Sequence, residues 1–280
     1  MRFECRGVVF SYVHRTSGRR RVLDGLSLAI APGECVGIIG HEGVGKSTLL
    51  QLLAGLLKPD SGTILVEGED LWGKSGTASS YRKKLGFAFQ FPEQQFFCET
   101  VRDELMSLTA SSMTPEEALD MVKLRARDYL DRSPYSLSMG EARRVALALL
   151  FMRGPEALLL DEPTVGLDGA GIGIVLDLLL EARLRGTTTV IVSHDLDVLA
   201  EAASCIVIMD HGRADIAGST ESILTDEERL ARHGYEVPEI VRLMKSMNVR
   251  PKPGALKDGL LAARGVMPSR PGGSREGTGQ

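Results

Sequence analysis

The chain has 280 residues, 43% of them hydrophobic and 25% charged, enough to bury a sizeable core in one or two domains. Its formal charge is −4, from 33 basic against 37 acidic residues, which excludes a general electrostatic attraction to nucleic acid or anionic lipid. Cys5, Cys35, Cys98 and Cys205 are scattered, with no CxxC pair and no His at metal-ligand spacing, which points to reduced thiols rather than a disulfide framework or a metal cluster.

Met1-Arg2-Phe3-Glu4-Cys5 lacks the apolar core of a signal peptide. No apolar run approaches the ~18 residues needed to span a bilayer, so any membrane role is expected to be peripheral. Residues 7–12 read as a strand, 14–20 as a polar turn and 22–30 as a second strand interrupted at Asp24-Gly25. Arg19, Arg20 and Arg21 are expected at a solvated hairpin tip. Ala31-Pro32-Gly33-Glu34 is a tight turn, and 35–39 is a continuously apolar strand of the kind found at the centre of a sheet. Cys35 and Cys205 lie in apolar runs, where a thiol acts as a small buried hydrophobe. A glycine-rich loop then leads into a helix over 46–57, stopped by Lys58-Pro59-Asp60-Ser61-Gly62.

Further strands are expected over 63–66 and 86–89. From about 100 to 132 the chain turns polar and helix-favouring, with Thr114-Pro115-Glu116-Glu117 as a helix start, which predicts a helical insertion. Strands at 157–160, 189–193 and 205–209 alternate with helices at 170–185 and 196–203. That rhythm implies a largely parallel sheet covered by helices. Residues 221–247 are expected to be helical and packed, with Pro238 opening a short helix, and the Pro-, Gly-, Ser- and Arg-rich stretch beyond about 250 is expected to be disordered.

Two motifs carry chemistry directly. Gly40-His41-Glu42-Gly43-Val44-Gly45-Lys46-Ser47-Thr48 matches G-x-x-x-x-G-K-[ST] between a strand and a helix. Glycines let successive backbone N–H groups turn inward around a phosphate, and the helix N-terminus adds partial positive charge. Lys46 then reaches the β and γ phosphates and the Ser47 hydroxyl becomes a Mg²⁺ ligand, so the segment predicts binding of a nucleoside triphosphate. Downstream, Ala157-Leu158-Leu159-Leu160-Asp161-Glu162-Pro163 is an apolar strand ending in two acids. Asp161 is placed to help hold Mg²⁺, and Glu162 to polarise an attacking water as general base.

Ser136-Leu137-Ser138-Met139-Gly140-Glu141 resembles the signature motif of ABC ATPases, usually LSGGQ or LSGGE. Ser138 and Glu141 also have the spacing of a helix capping box, and the two readings are compatible. Gln90 stands where the family has its glutamine loop, Gly166-Leu167-Asp168 where it has the D-loop, and Ser193-His194-Asp195 resembles the switch histidine. Tyr12 matches the aromatic that stacks on adenine, with a core strand aromatic as the other reading. The resemblance, over about residues 3 to 220, implies an α/β P-loop NTPase of the ABC ATPase fold. This has a parallel-sheet core, an N-terminal antiparallel β subdomain and a helical insertion subdomain of about 98–150. The ATPase domain would be 1–220, a C-terminal helical extension 221–249 and a disordered tail 250–280. It also implies ATP and Mg²⁺ as cofactors, with Gln90 joining Ser47 and Asp161 at the metal. Two copies would sandwich two ATP molecules head to tail, each between residues 40–48 of one subunit and Ser138, Gly140 and Glu141 of the other, with Asp168 beside them. Glu162 and His194 would act with Lys46 in catalysis, and Gln90 would link the site to a membrane partner.

Phe89-Gln90-Phe91-Pro92-Glu93-Gln94-Gln95-Phe96-Phe97 resembles the ATPases of energy-coupling-factor importers, including the cobalt type, which take up vitamins or Co²⁺ and Ni²⁺. Arg132-Ser133-Pro134-Tyr135 and Gly234-Tyr235-Glu236-Val237-Pro238 resemble that branch too. It implies a transmembrane coupling subunit, a substrate-binding membrane subunit, and a homodimer or heterodimer with a second ABC ATPase at the cytoplasmic face of the membrane, with no nucleic acid. Met139 departs from the usual Gly, and the insertion is shorter than is usual in the family. An importer or exporter ATPase outside this branch stays open, as does a soluble ABC ATPase, although the chain shows neither a second cassette nor a basic face.

Overall fold

The computed structural model describes residues 1–14, 18–73, 77–89, 96–107 and 113–247. In β1 (Phe3–His14), Phe3, Cys5, Val8 and Phe10 are buried. β1 pairs antiparallel with β2 (Gly18–Ile30) on one side and with β4 (Ser61–Val66) on the other. A two-residue β5 (Glu69–Asp70) completes a four-stranded sheet in the order β2-β1-β4-β5. The break expected at Asp24-Gly25 is a register shift inside one continuous strand, a bulge in the hairpin. The basic triplet lies within β2 rather than at a tip: Arg19 pairs with Asp60 at 2.7 Å and Arg21 with Asp24 at 2.8 Å.

The second sheet has six strands in the order β10-β9-β3-β8-β7-β6, parallel except for the β9–β10 hairpin. Its members are β3 (Cys35–Ile39), β6 (Leu85–Ala88), β7 (Ala157–Asp161), β8 (Thr188–Val192), β9 (Cys205–Asp210) and β10 (Arg213–Ser219). β3, β7 and β8 are buried along their whole length, as a central parallel strand covered on both faces must be. Residues of β3 divide between two hydrophobic clusters: Cys35 and Ile39 join one, Val36 and Ile38 the other.

Helix α1 (Lys46–Leu53) is shorter than the expected 46–57. Gly55 adopts φ +66° and the Leu56 N–H returns to the Gln51 carbonyl at 2.9 Å, a glycine stop that satisfies the helix's last carbonyls. The insertion is built from α3 (Val101–Met106), α4 (Pro115–Met121), α5 (Ala126–Tyr129) and α6 (Met139–Met152), and the short α2 (Thr77–Arg82) precedes β6. Thr114 caps α4 with a full capping box, as its sequence predicts. α7 (Gly169–Leu184) and α8 (Leu196–Ala202) connect the parallel strands.

Residues 221–247 are helical but not continuous, forming α9 (Thr220–Leu224), α10 (Glu227–Arg232) and α11 (Glu239–Ser246). α11 turns Val241 and Met244 inward, and the Ile240 N–H donates to Asp197 Oδ1 at 2.9 Å, docking the extension on α8. Cys205 is only partly buried; Cys5 joins Cys35 as the deeply buried pair, and burial pushes both thiols up to about 12. Among the described residues no helix is long and apolar enough to cross a membrane. The expected tail lies outside the described residues.

Candidate active site: the phosphate loop and its carboxylates

The loop after β3 is shaped by close approach to its neighbours. Gly40 has φ +151°, and a Cβ there would lie 2.4 Å from the Met209 carbonyl oxygen, so no larger residue fits. The loop curls round the Lys46 ammonium, which donates to the carbonyls of Gly40 at 2.7 Å and His41 at 3.0 Å. Burial lowers the Lys46 pKa, opposed by the nearby Glu162 and Asp161 carboxylates.

Parallel pairing of β7 with β8 sets Asp161 beside Val192, so Asp161, Glu162 and His194 emerge at the same end of the sheet. Asp161 is buried next to Ser47; burial raises its pKa and the nearby Ser47 hydroxyl opposes the rise. Glu162, also buried, sits at φ +50°, a backbone conformation costly for a non-glycine residue. Its Oε2 accepts the His194 N–H at 3.3 Å, and His194 Nε2 stands 3.4 Å from Oε1. Oε1 itself accepts no hydrogen bond, and burial raises the pKa of this carboxyl.

These groups line a cleft of about 380 Å³ that holds Tyr12, Gly43, Gly45, Lys46, Ser47 and Thr48 with Asp161, Glu162 and His194. Tyr12 forms the rim, its hydroxyl 3.4 Å from Thr48 Oγ1 and its ring edge-on to Phe10. Nine of the sequence-predicted residues therefore converge. Arg20, expected merely as a solvated tip, lines the same cleft next to Gly43; a strand register that alternates its neighbours onto Asp60 and Asp24 is not visible in a run of three arginines. The exposed Ser47 and the buried Asp161 carboxylate offer hard oxygen donors that fit Mg²⁺ shared with phosphate oxygens and waters, and beside them Glu162 Oε1 is a buried acceptor without a hydrogen-bond partner. Among the described residues no group of three or more His, Cys, Asp or Glu forms a self-sufficient metal cage.

The signature residues do not line this cleft. Ser138 caps α6, with Glu141 Oε2 accepting from the Ser138 N–H and hydroxyl, both at 2.8 Å. Glu141 Oε1 accepts from the Tyr129 hydroxyl at 2.7 Å, and this bond, with those from Ser138, pulls the carboxyl down to about 2. Both Glu141 oxygens are thus engaged within the subunit. Gly140 faces open space, so nothing inside the chain demands a glycine there. Met139 is exposed and rests its Sδ against the Gly166 turn. Asp168 is the N-cap of α7, accepting the Gly171 N–H at 2.8 Å. Gln90, and the segment 91–95 that follows it, lie outside the described residues.

A parallel sheet with a glycine phosphate loop after one strand and an acid pair at the tip of another defines a P-loop nucleoside triphosphatase. The ABC transporter family profile matches residues 23–165. The chain belongs to that family, and its activity is ATP hydrolysis coupled to transport. It is 37% identical over 255 residues to the energy-coupling factor transporter ATP-binding protein EcfA2 of Acetivibrio thermocellus, covering 88% of this chain and 90% of that protein. The EcfA2 of Symbiobacterium thermophilum is 38% identical over 268 residues, 91% of this chain and 93% of its own length. Among solved structures, cbiO1 of Clostridium perfringens, part of the ABC transporter complex cbiONQ, superposes with a TM-score of 0.68 at 29% identity, over 87% of this chain and 98% of that one. A dimeric ATP-binding cassette in a post-hydrolysis state with ADP and Pi gives a TM-score of 0.70 at 26% identity, over 78% of this chain and 98% of that one.

Proposed function

We propose that this chain is the ATPase of an energy-coupling-factor importer, working at the cytoplasmic face of a membrane to power uptake of a vitamin or of Co²⁺ or Ni²⁺. The observation that carries the reading is a half-built site. Phosphate loop, metal donors, base and switch histidine line one cleft, while Ser138 and Gly140 sit outside it, exposed and open. A second subunit presenting its own residues 138–141 completes the cleft, in a homodimer or with a sister ABC ATPase. Identity to the EcfA2 proteins over some nine-tenths of the chain supports the branch.

ATP lies along the loop with adenine against Tyr12 and its phosphates over the N-terminus of α1. Lys46 leaves the Gly40 and His41 carbonyls for the β and γ phosphates. Ser47 and Asp161, with Gln90, would hold Mg²⁺, which would supply charge neutralisation to the phosphates. Glu162 Oε1 takes the proton of a water whose oxygen bonds to the γ phosphorus, as the bond to the β–γ bridging oxygen breaks and ADP leaves. His194 orients the γ phosphoryl group. The raised Glu162 pKa makes it a better proton acceptor than an exposed carboxylate. Positioning and electrostatic stabilisation supply most of the acceleration. Closure on ATP and opening after hydrolysis transmit the stroke to a transmembrane coupling subunit that carries a substrate-binding membrane subunit.

Affinity purification of the tagged chain from its own membranes in mild detergent, followed by mass spectrometry, tests the assignment. A multi-spanning protein together with a small substrate-binding membrane protein is the expected result. A conventional permease pair would move the chain to another importer or exporter class, and ribosomal or DNA-repair partners alone would overturn the transport role.

A further inference from the structure

Lys46 is held by two carbonyls, those of Gly40 and His41. Both residues are gripped from outside the ATPase domain by one side chain of the C-terminal extension. The Gly40 N–H donates to the Tyr235 hydroxyl at 2.8 Å, a contact between positions 195 apart in sequence. The Tyr235 ring stacks on the His41 imidazole, with centroids 6.4 Å apart and planes 21° from parallel. Tyr235 is fixed in its turn: its N–H donates to the Leu230 carbonyl at 2.9 Å, and the following helix α11 is tied to Asp197 through the Ile240 N–H. Asp197 lies in the first turn of α8, just after His194.

A tyrosine that only filled space would leave its hydroxyl to water or to its own element. This one spends it on the first amide of the phosphate loop, at the residue whose carbonyl holds the catalytic lysine. We propose that Tyr235 is a positioning residue for Lys46, and that the extension pre-sets the phosphate loop through it, so that the loop meets the triphosphate already curled. The proposal rests on Lys46 being a phosphate ligand. Pre-ordering a loop tightens binding because less conformational freedom is lost when the ligand arrives. Losing the hydroxyl therefore raises KM more than it lowers kcat.

Tyr235→Phe in the full chain keeps the ring on His41 and removes only the hydroxyl. Affinity for a fluorescent mant-ATP is expected to fall about five- to tenfold, as for one hydrogen bond, with KM following it and kcat within about twofold. In a Lys46→Ala background the same change is expected to weaken binding less than in the wild type, because part of its route runs through the lysine. Equal weakening in both backgrounds, or a lowered melting temperature with unchanged affinity and KM, would overturn the proposal. A Lys46→Ala chain that binds as tightly as wild type would instead overturn the nucleotide-site reading beneath it. Should Tyr235→Phe fail to fold, the wild-type chain labelled with [15N]glycine decides: the Gly40 amide is expected to be protected from hydrogen exchange without nucleotide, and exchange at the rate of an open loop would overturn the idea.

Discussion

Glu162 combines burial, a left-handed backbone and an unshared oxygen, and each bears on its use as a base. Burial favours its neutral form, so the carboxyl titrates above the ordinary value of 4.5. Hydrolysis needs the ionised form, so turnover is expected to fall as pH drops through this raised pKa, well before an exposed carboxylate would protonate. A pH–kcat profile of the wild type checks the limb. Glu162→Gln is expected to lower kcat at least a hundredfold while mant-ATP still binds. The same shift has a stability consequence of opposite sense. Between 4.5 and the raised pKa the folded state binds more protons than the unfolded one, so stability declines as pH rises through that window, and above it the buried charge is a standing cost. Nucleotide-free Glu162→Gln is therefore expected to melt above wild type at pH 8 and level with it near pH 4, measured by differential scanning fluorimetry. The position of the acid pair was legible because the apolar run of β7 ends on it. The role of Tyr235 was not, because its partner lies across 195 positions and only docking of the extension brings them together.

Element boundaries divide by whether the signal is local. The start of α6 was visible as Ser138-x-x-Glu141, and the capping box is present in full. The edge strand β10 was missed because it turns no residue fully into the core, its side chains alternating exposed and half-buried. The Glu141 carboxylate stabilises the α6 start while ionised. Its folded-state pKa of about 2 lies below the ordinary 4.5, so that stability is present above 4.5 and is lost as pH falls toward 2. Ser138→Ala is expected to cost ~1 kcal/mol in urea unfolding at pH 7. Glu141→Gln is expected to destabilise at pH 7, by an amount that shrinks steadily below pH 4.5. A deficit independent of pH would place the Glu141 effect in packing rather than charge.

At the scale of the molecule, the layered α/β architecture and the helical insertion followed from the order of motifs and from strand–helix alternation. Of the breaks that divide 221–247 into three helices, the one at Pro238 was legible as a helix start, while the one at Asp226 was not, since a composition reading merges the helices on either side of that cap. On the proposal that two subunits share the site, Glu162→Gln with Mg·ATP is expected to sediment as a dimer, alone or mixed with its co-purifying sister ATPase; a monomer in both mixtures would remove the head-to-tail arrangement. Within one subunit, β3 deals its side chains alternately to the two hydrophobic clusters and then runs straight into Gly40. Neither cluster can come apart without stripping the other of half this strand. The described body should therefore melt as a single cooperative unit, with calorimetric and van't Hoff enthalpies in agreement. Ile38→Ala should shift that one endotherm to lower temperature without splitting it, and the phosphate loop should lose its shape at the same temperature as the rest.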